Sequence, residues 1–504
     1  MSVSDHWHSS FSLETLRRRL RSVPALLSLV PLSLGILAES CVELAEWVVV
    51  LLFVVTLGGA LWLRSSMLRL SFVAATLLFS GWLMADVRGV DSSLPRDYEV
   101  DIVVRLDGVR ERRDGYSSCS GVVEAWRGDE GWQSASSPVV LRLWDETIVE
   151  GDRVQLRGKI RSRISSVENY DRLMHYRGYE GRVDLHKGAY KRLQSEDGES
   201  LHVRSVRRLE RHLRDSSAYA TAEAMVVGSR RLIDQELRDS YSHSGLTHLM
   251  AVSGLHLGII MLVVGVMLLP INLLFWGWQM RAVLIIVVLW LFAAVSGFSP
   301  SVVRSALMFT VLEVSLATVG RYSSMNTLSV VILVMLVANP NYLFDLSFQL
   351  SVVAVVGIVM WGVPMLSYLA RHQVAGSRFL ATVVISLVAT LWTMPLVAYM
   401  FEDVSFMSII VSPLVLFTAY AIVGFGVLAL LLPDGLATPF GRVMEFAAKL
   451  QNSIAERAYD TGYGVLDGEL QGWVVVVVYL IFMAITLVGC SWEEKKMVTL
   501  SFDE

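Results

Sequence analysis

Long apolar runs occupy residues 23–85 of the chain and return between residues 247 and 489. Such runs constrain the fold strongly, because about 20 mainly apolar residues suffice for a helix to cross a bilayer. The charged share of the chain is 18%, whereas a typical soluble protein has about 25%. This composition excludes a disordered chain, a coiled coil and a simple soluble enzyme. It predicts a polytopic α-helical membrane protein with about 10–11 transmembrane segments.

The predicted spans form two groups. The first group is Val23–Ala38, Leu44–Leu63 and Met67–Ala85. The second group lies near residues 247–269, 281–298, 303–320, 325–338, 347–366, 379–401, 405–432 and 471–489. A basic segment at residues 1–22 precedes the first span, and no small-residue cleavage site follows it, so we expect a retained anchor. Residues 442–463 are predicted to form an interfacial or re-entrant amphipathic helix.

Residues 86–218 lack apolar runs and instead alternate apolar with polar side chains. The alternating segments are 101–106, 121–126, 139–144 and 152–157. A period of two, with Gly, Ser and Asp between the segments, is typical of short strands, so we predict a small all-β barrel or sandwich inserted into the membrane protein. A polar, helix-prone stretch at residues 201–215 then returns the chain to the membrane.

The charges of the short loops predict the orientation. Arg17–Arg21 and Arg69 fall on one side of the first spans, whereas Glu39 and Glu46 fall on the other. Because Lys and Arg accumulate in cytoplasmic loops, we expect a cytoplasmic N-terminus and an extracytoplasmic β domain. The side of the C-terminus stays open, since Pro413 and the 442–463 segment could each change the number of crossings.

Polar residues interrupt the apolar run that begins at residue 247. His248, Ser253, Gly254 and His256 lie within it. A Ser-Gly pair predicts a break in the helix, and non-helical backbone at membrane depth is tolerated where it is buried in protein or lines a cavity. Ionisable groups inside a membrane are costly, so these residues are candidates for a channel lining. The alternative is that the histidines are hydrogen-bonded packing groups between helices.

A second polar interruption is Arg304, which follows the Gly297-Phe-Ser-Pro300 turn. Such a side chain either extends to the interface or faces a central aqueous path. A third interruption contains Asp345, Gln349 and Ser351. Asp345 and Gln349 are four residues apart and share a helix face, which makes them lining candidates. Asp345 is also predicted to cap the helix that begins there.

The β domain contains a basic strand in which Arg157, Lys159, Arg161 and Arg163 alternate with smaller or apolar residues. Alternate side chains of a strand share one face, so the four cations would form a stripe of roughly 20 Å. A cationic groove with aromatic side chains for base stacking is typical of single-strand binding. The candidate stacking residues are Trp126, Trp144, Tyr170, Tyr176 and Tyr179. The alternative is a solvated face beside anionic lipid headgroups.

Together these stretches resemble the ComEC competence family of inner-membrane channels for transforming DNA. The resemblance is carried by His248-Leu-Met-Ala-Val-Ser-Gly-Leu-His256, by Gly297-Phe-Ser-Pro-Ser-Val-Val-Arg304, and by Asn339-Pro with Asp345 and Phe348-Gln-Leu-Ser351. It covers residues 220–435 closely and the β domain more loosely, where the family has an OB-like fold. Many members also carry a metallo-β-lactamase-like domain, whose H-x-H-x-D-H cluster we do not find here, so the resemblance implies the channel without the nuclease.

The resemblance implies a non-enzymatic channel in the cell inner membrane that passes single-stranded DNA, without a cofactor. Its expected partners are membrane lipid, a DNA receptor, a cytosolic translocating ATPase and single-strand-binding proteins. The chain has no P-loop motif, so the energy must come from elsewhere. Two alternatives are an exporter of a small solute or lipid, and an intramembrane hydrolase that binds zinc through His248 and His256. The expected divisions of the chain are residues 1–22, 23–85, 86–218, 219–435, 436–490 and 491–504.

Overall fold

The computed structural model describes residues 24–500 apart from short internal stretches. These stretches are residues 43, 64–65, 87–93, 96, 114–115, 129–130, 145–150, 165–170, 172–173, 175–177, 195–200, 231, 251, 299, 319–323, 373–376, 402, 406, 462–464 and 468–470. The predicted basic N-terminus and two candidate stacking residues, Tyr170 and Tyr176, lie outside the described residues.

The three predicted N-terminal helices are present. They are α1 Pro24–Cys41, α2 Glu46–Trp62 and α3 Ser66–Asp86. A Cβ atom added to Gly35 would clash with the Leu78 carbonyl group, and one added to Gly81 would clash with the Leu32 carbonyl group. The backbones of α1 and α3 therefore approach closely at two glycines, which is how membrane helices gain packing contacts without a hydrophobic driving force.

The predicted β domain is a small barrel. Its strands are β1 Glu99–Arg113, β2 Tyr116–Gly128, β3 Gly131–Leu143, β4 Arg153–Arg161, β5 Gly181–Leu185 and β6 Tyr190–Gln194. The strand order is β1-β2-β3-β5-β4-β6, and an additional pairing of β1 with β4 closes the first five strands. The β3–β5 pairing is parallel, whereas the other pairings in the barrel are antiparallel. A closed five-stranded barrel fits the OB fold.

Alternating burial fills the barrel interior. Ile102, Leu141, Val154, Ile160 and Val183 are fully buried and belong to one hydrophobic cluster. On β4, buried Val154, Leu156 and Ile160 alternate with residues that are half-buried or exposed. The period of two in the sequence therefore predicted the inward-facing side of these strands correctly.

Three short helices connect the barrel to the second apolar region. They are α4 Leu201–Glu210, α5 Ser216–Val226 and α6 Gln235–His243. Asp215 begins α5 as its N-cap, and its side chain accepts a hydrogen bond of 2.9 Å from the Ala218 N–H. All residues from Ala218 to Val226 are buried, so α5 is surrounded by other helices.

The second apolar region is helical with several breaks. Its helices are α7 Gly254–Met267, α8 Gly277–Val295, α9 Pro300–Thr318, α10 Ser324–Ala338, α11 Leu346–Gly357, α12 Val363–Arg371, α13 Ser377–Phe401, α14 Met407–Leu431, α15 Asp434–Asp460 and α16 Gly472–Leu500. A π-helical turn, Ile358–Gly362, joins α11 to α12, and short strands β7 Asp403–Ser405 and β8 Val465–Asp467 pair with each other.

Six helices within the described residues are long and apolar enough to cross a membrane. They are Pro24–Cys41, Leu68–Ala85, Gly277–Val295, Leu346–Arg371, Val383–Met400 and Ile410–Leu431. Four shorter apolar helices accompany them: Glu46–Trp62, Gly254–Met267, Ser324–Ala338 and Gly472–Thr486. This arrangement fits a multi-pass membrane protein.

The bounds of two predicted segments differ from those of the observed helices. The span expected from residue 247 begins as a helix only at Gly254, because a 3₁₀ turn at Thr247–Leu249 and the extended backbone of Ser253 precede it. The amphipathic helix expected at residues 442–463 begins earlier, since α15 starts at Asp434 directly after α14. Pro433 at its N-cap ends one helix and starts the next.

A buried polar network joins α5, α6, α14 and α15. The Tyr241 hydroxyl donates to Asn452 Oδ1 at 2.8 Å and accepts from Gln451 Nε2 at 3.1 Å. Thr221 also donates to Asn452 Oδ1, at 2.8 Å, and Thr418 donates to Gln451 Oε1, at 2.9 Å. These bonds satisfy polar groups that would otherwise be costly to bury, and they fix the packing of the four helices.

Candidate functional site

The start of α7 contains a buried serine–histidine pair. The Ser253 N–H donates to His256 Nδ1 at 3.2 Å, and the Ser253 hydroxyl lies 2.9 Å from the same nitrogen. Because Nδ1 accepts, the neutral imidazole carries its proton on Nε2. The His256 side chain is 0% exposed, and Nε2 has no hydrogen-bond partner among the described residues. His248 is exposed in the preceding turn, with Nδ1 at 3.1 Å from the Gly245 carbonyl oxygen.

A tight reversal separates α8 from α9. Gly297 and Phe298 both have positive φ angles, 69° and 51°. The Phe298 N–H donates to the Ala293 carbonyl at 2.8 Å, which closes the C-terminus of α8. A bulky residue rarely adopts a left-handed conformation, so this turn stores local backbone strain directly before Pro300.

Arg304 lies inside the protein. Its side chain is 2% exposed, so it does not extend to an interface or to open water in this structure. Its Nη2 donates to the Ser301 hydroxyl at 3.3 Å, and its guanidinium carbon lies 5.9 Å from the centre of the Phe348 ring. Arg304 also interacts electrostatically with Asp345. Nε and Nη1 have no acceptor within the part of the chain that the structure describes.

The predicted cap at the start of α11 is confirmed. Asp345 Oδ1 accepts a hydrogen bond of 3.0 Å from the Phe348 N–H, and the residue is 1% exposed. Gln349 Nε2 donates to the Leu343 carbonyl at 2.9 Å and so supports the preceding 3₁₀ turn. Ser351 is half-buried two residues further along α11. Asp345 and Gln349 thus both form hydrogen bonds that stabilise the local backbone, in addition to any role in lining a channel.

The helices that carry the polar interruptions pack against one another through α9. A Cβ atom added to Gly254 would lie 3.1 Å from the Ser305 hydroxyl oxygen, and one added to Gly258 would lie 3.5 Å from Phe309. Helices α7 and α9 therefore run side by side in the same direction, with the first turn of α7 against the second turn of α9. Arg304, one residue before Ser305, contacts instead the Phe348 ring in the first turn of α11. The starts of α7 and α11 thus both pack against α9, and we call these three helix starts the polar centre.

Carboxylates of neighbouring strands lie beside the cations of the basic strand. The described strand ends at Arg161, so Arg163 follows it rather than extending the stripe. Arg157, Lys159 and Arg161 are exposed. The register of β1 places Asp101 opposite Arg157 and Glu99 opposite Lys159. Arg161 forms an ion pair of 3.1 Å with Asp184. This face therefore has less net positive charge than the strand sequence alone predicts.

An aromatic cluster at one end of the barrel was only partly predicted. The rings of Trp144 and His186 stack with centroids 4.3 Å apart, and Tyr116 lies 5.5 Å from Trp144. The Arg142 guanidinium lies 4.9 Å from the centre of the Tyr116 ring. Trp144 is 38% exposed. The sequence singled out only Trp144, because the other residues come from different strand ends and share no spacing signal.

Metal ligands of the kind that the hydrolase alternative needs do not assemble in the described ranges. No group of three or more His, Cys, Asp or Glu residues is placed there to hold a metal ion. His256 instead uses Nδ1 in the cap of α7. The apolar helices and the barrel together fit the class of multi-pass membrane proteins with an OB-like domain.

The Competence protein family matches residues 225–492, more than half of the chain, and the chain belongs to this family. A similar relative is ComE operon protein 3 of Bacillus subtilis, 32% identical over 222 residues that are 44% of this chain and 27% of that protein. An uncharacterized protein of Aquifex aeolicus is 31% identical over 44% of this chain and 49% of its own length. The chain therefore spans about half or less of these curated relatives. No solved structure matches it significantly.

Proposed function

We propose that the chain forms an inner-membrane channel that passes single-stranded DNA into the cytoplasm during natural transformation. The main support for the proposal is that the residues matched by the family include the polar centre. Residues 225–492 include Ser253, His256, Arg304 and Asp345, which lie at the starts of α7, α9 and α11. A polyanion that crosses hydrocarbon needs polar groups along its path, and discontinuous helices supply them in transport proteins.

In this proposal the barrel binds the incoming DNA strand outside the cytoplasm. The exposed Trp144 and its stacked neighbour His186 supply a surface for bases, while Arg142 and Lys187 supply positive charge nearby. Stacking on aromatic rings is sequence-tolerant because every base has a π face. The cations Arg157 and Lys159 add a second contact, weakened by the carboxylates of β1. Arg163 and Tyr176 remain proposed contacts of the DNA strand.

The orientation is proposed from the loop charges: a cytoplasmic N-terminus, an extracytoplasmic barrel, and a channel core at residues 219–435. The chemistry is translocation without bond cleavage. A DNA receptor, a cytosolic translocating ATPase and single-strand-binding proteins are the proposed partners, because the chain has no nucleotide-binding P-loop of its own. Membrane lipid is a further proposed partner, in contact with the apolar helices.

The decisive experiment is a clean deletion followed by complementation in the native host. We expect the deletion to abolish transformation by added DNA, while labelled DNA still accumulates outside the inner membrane. Introduction of the same DNA by electroporation should remain normal, which excludes a recombination defect. Transformation at the wild-type rate in the deletion strain would refute the proposal, and it would then favour export of a small solute or lipid.

A further inference from the structure

Helix α4 presents a row of arginines on its exposed side. Residues 201–214, which comprise α4 and the turn after it, contain five arginines and one glutamate. Val206 and Leu209 are buried in one cluster with residues of α8. The exposed cations are three or four residues apart and therefore follow one side of the helix. We call them the arginine stripe; they are Arg204, Arg207 and Arg211.

A carboxylate from another helix lies beside this stripe. Asp434 Oδ2 is 3.8 Å from Arg211 Nη1, and Asp434 Oδ1 is 3.7 Å from Nη2 of Arg208. The Asp434 side chain is 61% exposed, and surface pairs of this kind contribute at most about 1 kcal/mol. A phosphate group can therefore take the place of Asp434 at little cost.

The chain leaves the barrel at the end that carries the aromatic cluster. Strand β6 is antiparallel to β4, with Gln194 opposite Arg153, so β6 ends where β4 begins. Because β4 is antiparallel to β5 and β5 is parallel to β3, Trp144 and His186 lie at this same end. Six residues then separate β6 from α4, and a connection of that length spans at most about 25 Å.

The buried side of α4 packs against the end of α8. His202 Nδ1 lies 2.7 Å from the carbonyl oxygen of Val295, the last residue of α8. The tight turn that follows Val295 leads directly into α9 and Arg304. The helix that carries the arginine stripe therefore connects the aromatic end of the barrel to a helix that precedes the polar centre.

The charge and its position favour nucleic acid over lipid as the ligand. In the proposed orientation α4 lies on the extracytoplasmic side, where segments that flank membrane helices usually carry fewer Lys and Arg residues. Residues 201–214 contain no lysine, and a guanidinium group binds phosphate through two parallel hydrogen bonds. A cationic row that follows the phosphates is the usual way to bind a single strand irrespective of its sequence.

We infer that the arginine stripe binds the phosphodiester backbone of the DNA strand between the barrel and the polar centre. The inference rests on the proposed function for the identity of the ligand, and it adds a contact that depends on charge. The barrel stacks bases, whereas the stripe holds phosphates.

The test measures binding of a labelled oligothymidylate to the full-length protein in nanodiscs of zwitterionic lipid. Arg204→Gln combined with Arg211→Gln should flatten the slope of log affinity against log salt by about 1.4, which is 0.7 per phosphate contact. The matched control combines Arg371→Gln with Arg457→Gln, which removes the same charge from exposed positions of α12 and α15. The control should keep the wild-type slope. An unchanged slope in the folded Arg204/Arg211 variant would overturn the inference.

An oligonucleotide of abasic sites separates the stripe from the aromatic cluster, because it keeps the phosphates and lacks the bases. The Arg204/Arg211 variant should weaken its binding, whereas Trp144→Ala should leave it unchanged. Asp434→Asn should strengthen binding, and such a gain does not arise from misfolding. Unchanged affinity of the abasic probe for both the Arg204/Arg211 and the Asp434 variants would overturn the inference.

Anionic lipid is the other ligand that the test distinguishes. If the stripe instead held lipid headgroups, the Arg204/Arg211 variant would retain less phosphatidylglycerol in mixed nanodiscs and bind DNA like the wild type, which would overturn the inference. The outcome is also separable from that of the proposed function. The expected slopes together with normal transformation of the deletion strain would retain the DNA-binding stripe and refute the channel. A transformation defect with unchanged slopes would retain the channel and refute the stripe.

Discussion

The guanidinium group of Arg304 lies over the ring of Phe348, with its central carbon 5.9 Å from the ring centre. Phe348 also donates its backbone N–H to Asp345, so one turn of α11 presents both an aromatic face and a carboxylate to the same cation. A desolvated cation over a ring is stabilised by about 2 kcal/mol or more, yet Arg304 Nε and Nη1 still have no hydrogen-bond acceptor among the described residues.

Substitution of Arg304 should affect transformation according to charge. Arg304→Lys keeps the positive charge but loses the planar donor array, so we expect partial retention of transformation. Arg304→Gln removes the charge and should reduce transformation by about tenfold or more, equivalent to about 1.4 kcal/mol. Transformation frequency is measured together with protein abundance in the membrane. Normal frequency in Arg304→Gln at normal abundance would show that Arg304 is not on the path.

Neutralisation of Asp345 should slow the passage of DNA. Asp345→Asn retains an N-cap of similar quality for α11 and removes the negative charge beside Arg304. Without this carboxylate Arg304 should hold passing phosphate groups more tightly, and a stronger contact releases its ligand less readily. A time course of labelled DNA entry measures the effect, with protein abundance in the membrane as the control. Faster entry with folded Asp345→Asn would contradict this expectation.

The aromatic cluster should contribute more than the basic β-strand to the binding of single-stranded DNA. Trp144→Ala in the full-length protein should weaken binding of an oligothymidylate by about 1–3 kcal/mol, the usual loss for one stacking residue. Arg157→Gln with Lys159→Gln should reduce the salt slope by at most about 1.4, which is 0.7 per phosphate contact. Fluorescence anisotropy at several salt concentrations measures both effects. Trp132→Ala is the control, because Trp132 is an exposed tryptophan of β3 outside the cluster.

The network around Tyr241 should dominate local stability. Tyr241→Phe removes a hydroxyl that donates to Asn452 and accepts from Gln451, and it should cost about 1–3 kcal/mol. Burial of Tyr241 raises the pKa of its hydroxyl, so this group stays protonated throughout the usual pH range. Thermal unfolding in detergent measures the loss. Tyr219→Phe is a matched control, since the Tyr219 hydroxyl bond to the Val206 carbonyl is 3.4 Å long and its loss should cost less.

The start of α5 should show a pH-dependent contribution from Asp215. The hydrogen bond from the Ala218 N–H, with a further bond and attraction from Lys449, holds the pKa of Asp215 below its usual 3.8. Its stabilising effect is therefore present above pH 3.8 and is lost as the pH falls through the lowered value. Asp215→Ala should cost about 1 kcal/mol at pH 7, while Asp215→Asn keeps the cap and should lose only the pH dependence. An unchanged pH dependence of unfolding in Asp215→Asn would contradict this assignment.

The sequence determined the elements whose signal is local. Apolar runs such as Leu44–Leu63 predicted helices, and the alternation around Val154 and Leu156 predicted a barrel strand and its inward face. Ser253-Gly254 predicted the break before α7, and Asp345 predicted a helix cap. These features depend on residues within a few positions of one another, so backbone geometry and the transfer of apolar side chains out of water are sufficient to specify them.

Tertiary structure alone decided which polar residues meet. Arg304 and Phe348 come from different helices, and only packing places the cation over the ring. The register of β1 against β4 sets Glu99 opposite Lys159, which reduces the charge that the strand sequence predicts. Tyr116 and Trp144 likewise meet because β2 begins where β3 ends. Such contacts depend on how distant segments bury their apolar faces together, and a spacing pattern within one segment carries no information about them.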